Sequence, residues 1–306
     1  MENQLLTFLV TDEDKNKRID KYLTEKNQEL SRSYIQKLIQ DGLVTKNNKI
    51  LKANYKLSVG DTISVAIPAP VDLDIEPEPI PLDIIYEDDD VILINKPKNM
   101  VVHPAPGHYS GTIVNALLYH CKNNLSGING VMRPGIVHRI DMNTTGVIVA
   151  CKNDKAHNCL AKQLKEHSIT RKYDAIVYGN FADLTGTIEG PIGRHPIDRK
   201  KMAINQKNGK SAVTHYTVLE NLQQFSHIEC MLETGRTHQI RVHMASINHP
   251  LLGDDVYGPK KTKFSYLEGQ TLHARVLGFI HPTRNQYMEF EAPLPEYFNH
   301  LLQQLR

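Results

Sequence analysis

Residues 134–154 read PGIVHRIDMNTTGVIVACKND. The alternation over Gly135–Ile140 predicts a strand, the polar run Asp141–Gly146 a loop, and the apolar run Val147–Cys151 a second strand. Side chains alternate faces along a strand, so Arg139 and Asp141 are expected on the same face, a cation beside a carboxylate at the strand's mouth. Spacing alone is met better by an Asp141 that caps the turn and an Arg139 on the surface.

Working outward, IIYEDDDVILINKP (84–97) reads as two strands around an acidic turn, and KYDAIVYG (172–179) as another strand. GTIVNALLYHC (111–121) and DKAHNCLAKQLKEH (154–167) carry helical spacing. Strands outnumber helices and several are close enough for hairpins, which favours an α+β fold with a mainly antiparallel mixed sheet over a doubly wound one. The first ~70 residues form a separate helix-and-hairpin module. In LSRSYIQKLIQDG (30–42), Ser31 is the expected N-cap, Ile35, Leu38 and Ile39 share a side, and Gly42 is the expected C-cap. IPAPVDLDIEPEPIP (67–81) holds five prolines among acids. The expected organisation is a module at 1–70, an acidic proline-rich linker at 71–81, and a large domain at 82–306.

The net charge of +2 hides an uneven distribution. Residues 71–90 carry nine carboxylates and no Lys or Arg, while residues 91–306 carry 25 Lys and Arg against 16 Asp and Glu. That basic body suits a polyanionic partner, although charge alone is met equally well by any basic soluble protein. No stretch is long and apolar enough to span a bilayer, and the start lacks the pattern of a signal peptide. The four cysteines form no CxxC pair, so free thiols in a cytoplasmic setting are expected. The fifteen histidines and scattered cysteines show no metal-ligand spacing, and no metal is expected.

HRIDMNTTGVIV (138–149) resembles the HRLDxxTSGLLL signature of the RluA-type pseudouridine synthases. INKPKNMVVHP (94–104), RKYDAIVYG (171–179) and ETGRTHQIRVHMASINHPLLGD (233–254) resemble three further motifs of that family, in the same order. RIDKYL (18–23) with residues 30–65 resembles the small RNA-binding domain first described in small-subunit ribosomal protein four. Asn99 stands where the family usually has glycine, Thr145 replaces serine and Ile140 replaces leucine. The first of these departures bears on a turn, and none touches an expected catalytic group.

The resemblance implies an enzyme that isomerises uridine in structured RNA without a cofactor. Uracil is cut from ribose, turned and rejoined through carbon, and cleavage builds positive charge on the sugar. Asp141 is the implied nucleophile, either adding to the sugar or stabilising the bound intermediate. Arg236 is the expected cation beside it, at the start of a helix HQIRVHMASI (238–247) capped by Thr237, with Arg241 as the rival. Tyr173 is expected to stack on the base and take part in proton transfer. Arg139 is expected to fill the space left by an extruded uridine, and His138, Thr145, Ile240 and Arg241 to line the substrate. Arg18, Arg32 and Lys37 match positions that face RNA phosphate in the N-terminal module. GRHPIDRKKMAINQKNGK (193–210), with Arg199, Lys200 and Lys201, reads either as a mobile loop closing on RNA backbone or as a solvated surface loop. The implied partner is large-subunit ribosomal RNA or the assembling large subunit. A synthase of transfer RNA, a catalytically silent RNA-binding or ribosome-assembly protein, and a nucleoside or glycan hydrolase are the alternatives.

Overall fold

A computed structural model describes residues 4–27, 32–47, 49–67, 75–105, 108–122, 124–128, 133–198 and 201–306. The chain forms two compact units, Met1–Asp72 and Leu73–Arg306.

In the first unit, strands β1 (Gln4–Leu9), β2 (Val44–Lys46), β3 (Lys49–Ile50) and β4 (Thr62–Ile67) pair in the order β1-β4-β2-β3. Helices α1 (Ile19–Lys26) and α2 (Arg32–Gln40) cover this sheet. The helical spacing of Ile35, Leu38 and Ile39 brings all three into the core, where they meet Ile63 and Val65 of β4. Gly42 closes α2 with φ +75°, a conformation glycine adopts without steric cost, and its amide and that of Leu43 return to the carbonyls of Ile39 and Leu38. Ser31, the expected N-cap, lies outside the described residues.

The acidic segment is bound to the second unit over much of its length. Ile75 is buried in the large core, Glu76 accepts at its carbonyl from Asn115 Nδ2, and the Glu78 carboxylate accepts from the amide of Gly111. Its composition reads as linker, but it bonds to the start of helix α3 (Ile113–Cys121), whose first turn is itself capped by Thr112 and Asn115. The prolines remove few donors there, because the segment bonds through side chains and single backbone groups.

The second unit is built on nine strands: β5 (Ile84–Glu87), β6 (Val91–Lys96), β7 (Thr145–Cys151), β8 (Thr170–Tyr178), β9 (Thr185–Glu189), β12 (Val213–Asn221), β13 (Phe225–Leu232), β14 (Leu272–Ile280) and β15 (Tyr287–Glu291). The path runs β5-β6-β7-β14-β8-β13-β12-β9, and every pair is antiparallel except β7 with β14. Strand β14 forks: its residues His273 and Ala274 pair with β7, and Val276–Ile280 pair with β15. Strand β7 is buried throughout, as expected for a central strand covered on both faces, with α3 and α4 (Asp154–Lys165) contributing Leu117 and Leu160 to the same core. Gly146 is required at the parallel junction. Its φ is +106°, and a Cβ there would lie 2.2 Å from the carbonyl oxygen of Ala274. Helix α6 (Glu296–Leu305) buries Phe298, Leu301, Leu302 and Leu305 in a second core with Phe225 and Phe264.

Two local expectations are corrected. Gly135–Ile140 is not a strand: Ile136 makes one isolated bridge to Ala150, and beyond it His138 Nε2 accepts from the amide of Val149 at 3.1 Å. A side chain thus takes the place of a partner carbonyl, and the alternating pattern that reads as a strand is spent on that ring and on burial of Ile136 and Ile140. The basic stretch at 193–210 contains a two-stranded hairpin, β10 (Ile192–Arg194) with β11 (Met202–Ile204). Arg199 and Lys200 lie outside the described residues, and Lys201 is half-buried with its amide on the Asp198 carbonyl.

Candidate active site

The sheet register gathers the site. Thr145 pairs with His273 at the start of β7, and Ala274 pairs with Tyr173 on β8, so the loop ending at Thr145 lies one strand away from Tyr173. Tyr173 in turn pairs with Cys230 of β13, two residues from that strand's end. The chain then leads through ETGRTH into helix α5 (Gln239–Ser246), whose first turn closes over the same row. One cleft is lined by Asp141, Tyr173, Arg139, Arg236, His238 and Arg241, with Ile140, Ile240 and Leu272 as apolar wall.

The loop carrying Asp141 is braced from below by Lys96. Its amine is buried and donates to the carbonyls of Pro97, Met100 and Met142 at 2.7, 2.8 and 2.8 Å. Burial pulls this amine down to about 7, while the charge of Asp141 works in the opposite direction. Three acceptors need three hydrogens, and only the ammonium form supplies them. Lys96 sits in the quoted stretch 94–104, yet sequence reasoning gave it no role. The Lys-Pro pair followed by an apolar run was the signal available. The turn it anchors contains Asn99 at φ +60°, a left-handed conformation asparagine tolerates, so the departure from glycine leaves the turn intact.

The cation beside Asp141 is Arg241. Its Nη1 donates to Asp141 Oδ2 at 3.1 Å, and its Nε and Nη2 donate to the two oxygens of Asp254 at 2.7 and 3.0 Å. Asp254 is wholly buried, and its Oδ1 also accepts from the amides of Val256 and Tyr257. Burial would raise the Asp254 carboxyl, but Arg241 and the two amides outweigh it and hold the group below the usual carboxylate range. Burial likewise opposes the charge of Arg241, and the two carboxylates more than restore it. Arg236, the expected partner, instead donates from Nε to the Ser211 carbonyl at 3.0 Å and stays partly exposed on the rim.

The reason lies in how α5 begins. His238, not Thr237, is the N-cap, with φ +56° and no side-chain cap bond. The left-handed turn separates Arg236, left in the loop, from Arg241, which the first helical turn carries inward. Gln239 braces the turn that leads into the helix: its Oε1 accepts from the Arg236 amide and the Thr234 hydroxyl, and its Nε2 donates to Val213 O and Thr214 Oγ1. Gln239 and Asp254 belong to the stretch 233–254, but no spacing within it marks Asp254 as the partner of Arg241, and Gln239 also reaches Val213 and Thr214 outside it.

Met202 of the basic hairpin donates its amide to the Tyr257 hydroxyl at 2.9 Å. The same hydroxyl is hydrogen-bonded to His238 Nδ1, also at 2.9 Å. Nε2 of the same ring lies 3.8 Å from Asp141 Oδ1. Burial holds the His238 ring below its usual range, with Asp141 pulling up and Arg241 pushing down, so it is uncharged at neutral pH. The face of Tyr257 also carries the Arg241 guanidinium, 5.1 Å from the ring centre.

Tyr173 is buried to 9% exposure, and its phenol is raised by burial, lowered by Arg171 and raised again by Asp141, so it stays protonated at neutral pH. Arg139 is exposed on the rim. Thr145 and His138 face inward: Thr145 is buried with its hydroxyl on His273 Nδ1 at 2.8 Å, and His138 holds the Val149 amide. In the first unit, Arg18 binds the buried Asp20 from Nε and Nη2, while the side chains of Arg32 and Lys37 lie outside the described residues. Among the described residues no helix is long and apolar enough to cross a membrane. The arrangement amounts to one accessible carboxylate with a fixed cation, a neutral imidazole and a protonated phenol around an apolar floor.

A family model described as RNA pseudouridylate synthase matches residues 90–246, and one described as S4 domain matches residues 17–63. An uncharacterized RNA pseudouridine synthase of Bacillus subtilis is 53% identical, covering 98% of either chain. Proteins named ribosomal large subunit pseudouridine synthase D from Zymomonas mobilis and Haemophilus influenzae are 47% and 42% identical. These alignments cover 91% and 98% of this chain, and 90% and 95% of theirs. The solved structure of human RNA pseudouridylate synthase domain containing 1 superposes with a TM-score of 0.57 at 25% identity, covering 74% of this chain and 95% of that one.

Proposed function

The chain belongs to the RNA pseudouridylate synthases, and we propose that it converts specific uridines of large-subunit ribosomal RNA to pseudouridine with Asp141 as the catalytic carboxylate. The ion pair of Asp141 with Arg241, itself held by Asp254, is the observation that carries the assignment. Arg241 occupies Oδ2 and leaves Oδ1 for the sugar. In the reaction the bond from C1′ to N1 of uracil breaks, and one from C1′ to C5 forms. The proton leaving C5 and the one gained at N1 balance, so nothing is consumed. Asp141 Oδ1 meets the positive charge that develops at the sugar. Tyr173 and the apolar floor of Ile240 and Leu272 flank the detached uracil while it turns.

The RNA target follows from the relatives, whose names specify the large ribosomal subunit, together with the S4-type module at the N-terminus. Ribosomal RNA as substrate implies action in the cytoplasm on the RNA or the assembling subunit. Tritium release from large-subunit ribosomal RNA transcribed with 5-tritiated uridine tests the reading. The wild type should release label in proportion to pseudouridine formed, and Asp141→Asn should release none while binding RNA within a few-fold of wild type. Release by the Asn variant at a tenth of the normal rate would remove Asp141 from the mechanism.

A further inference from the structure

Beside the cleft of Asp141 lies a second one of about 560 Å³, which shares Arg139, Tyr173, Leu232 and Arg236 with it. Arg133 and Arg171 complete a set of four guanidiniums, and among the described residues no carboxylate lines this cleft. Arg171 stands two residues before Tyr173 on β8 and so on the same face of the sheet. It is only 7% exposed. Its Nη2 donates to the Glu233 carbonyl at 3.0 Å, and among the described residues its Nε meets no acceptor. The charged neighbour that weighs on it most after burial and Tyr173 is another cation, Arg236. Gly235 leaves the room it needs, since a Cβ there would come within 2.4 Å of Arg171 Nη1. His103, 6% exposed on the wall of the same cleft, also has an unpartnered Nδ1.

A buried guanidinium without a counter-charge is costly, and the cost falls when an anion with several acceptor oxygens enters. The volume is in the range that encloses a small ligand, and the shared wall sets its occupant next to whatever stacks on Tyr173. We infer that this cleft is an RNA phosphate subsite, in which Arg171, flanked by Arg133 and Arg236, holds the phosphodiester of a nucleotide adjoining the target uridine. The inference rests on the uridine-isomerisation reading for the identity of its neighbour, but anion binding itself does not.

Full-length wild type, Arg171→Gln and Arg133→Gln are to be titrated with a fluorescein-labelled unmodified large-subunit ribosomal RNA transcript at several salt concentrations, alongside steady-state tritium release. Each variant should raise Kd by roughly tenfold. Each should also flatten the dependence of log affinity on log salt by about 0.7–0.9. The activity loss should fall on KM more than on kcat. A wild-type Kd and salt slope in an Arg171→Gln protein of normal melting temperature overturns the subsite. Loss of kcat at unchanged Kd also overturns it and makes Arg171 a positioning residue for Tyr173. Arg133 is exposed, so should Arg171→Gln fail to fold, an unchanged slope for Arg133→Gln is decisive against it. A wild type that releases no tritium, while both variants still lose slope, refutes the isomerisation reading and leaves the anion site standing.

Discussion

Asp254 grips Arg241 by two parallel bonds of 2.7 and 3.0 Å, so the guanidinium face turned to Asp141 cannot rotate away. Planar two-point pairing fixes direction as well as charge. The buried carboxylate is therefore a positioning group for the site rather than a member of it.

Replacing that carboxylate should expose its role. Asp254→Asn keeps the shape but leaves Arg241 buried with half its counter-charge, a defect worth about 3–5 kcal/mol in buried pairs. Because the folded carboxyl is held below its unfolded value, its stabilisation is present above about pH 4 and fades as pH falls through the lower folded value. Urea midpoints of wild type and Asp254→Asn should differ most at pH 7 and converge toward pH 3. A constant gap across that range would mean the charge is not what matters.

The two arginines should part company in kinetics. Arg241→Lys keeps a positive charge but cannot span Asp141 and Asp254 together, so kcat should fall about 100-fold. Arg236→Ala removes a rim group whose Nε donates to the Ser211 carbonyl, and should raise KM several-fold with the larger part of kcat retained. The reverse ranking in tritium release would restore Arg236 as the partner of Asp141.

His138 should govern part of the acid limb. Burial, reinforced by Arg171, lowers its ring to about 4 from an ordinary 6.5. The unfolded chain then binds the proton first, and stability is lost as pH falls from 6.5 toward 4. His138→Gln keeps an acceptor for the Val149 amide without titrating, so its melting temperature should decline less than that of wild type across the same window. Parallel declines would show that titration of His138 contributes nothing to the loss.

Where the module ends can be tested by truncation. A chain starting at Leu73 retains Ile75, Glu76 and Glu78, and should melt within a few degrees of the second unit in the whole protein. A chain starting at Leu82 loses a buried isoleucine and the hydrogen bonds of Glu76 and Glu78 to Asn115 and Gly111, and should be less stable by roughly 3 kcal/mol. Calorimetric melting of both fragments measures the difference. Equal stabilities would return residues 75–81 to the status of a free tether.

The hydrophobic patterns of β6, β7 and β8, and the helical spacing of α2, α3 and α4, were legible because burial imposes period on sequence. The stretch 135–140 misled because a histidine ring replaced a strand neighbour, an exchange no periodicity records. Asp141 and Tyr173 were named from short motifs, and the structure brings both to one cleft. Arg236 and its rival Arg241 could not be separated by chain spacing, which does not encode the backbone angle at His238 that carries Arg241 inward to Asp141. Gln239 and Tyr257 act through partners distant in sequence, Val213 and Thr214 for the first and Met202, 55 residues away, for the second. Each strand of the hairpin β10–β11 is three residues long, too short for a period to show in the sequence.

Lys96 also bears on how the site comes into being. Its one ammonium closes carbonyls at 97 and 100 and a third at 142, 46 residues further along the chain. The carbonyl of Met142 meets this ammonium only when the two stretches are side by side, so the loop with Asp141 takes its shape once β6 and β7 have zipped together. Catalytic competence is thereby made all-or-none with the folding of the central sheet. A partly folded intermediate that still exposes this loop has no organised carboxylate with which to attack RNA indiscriminately.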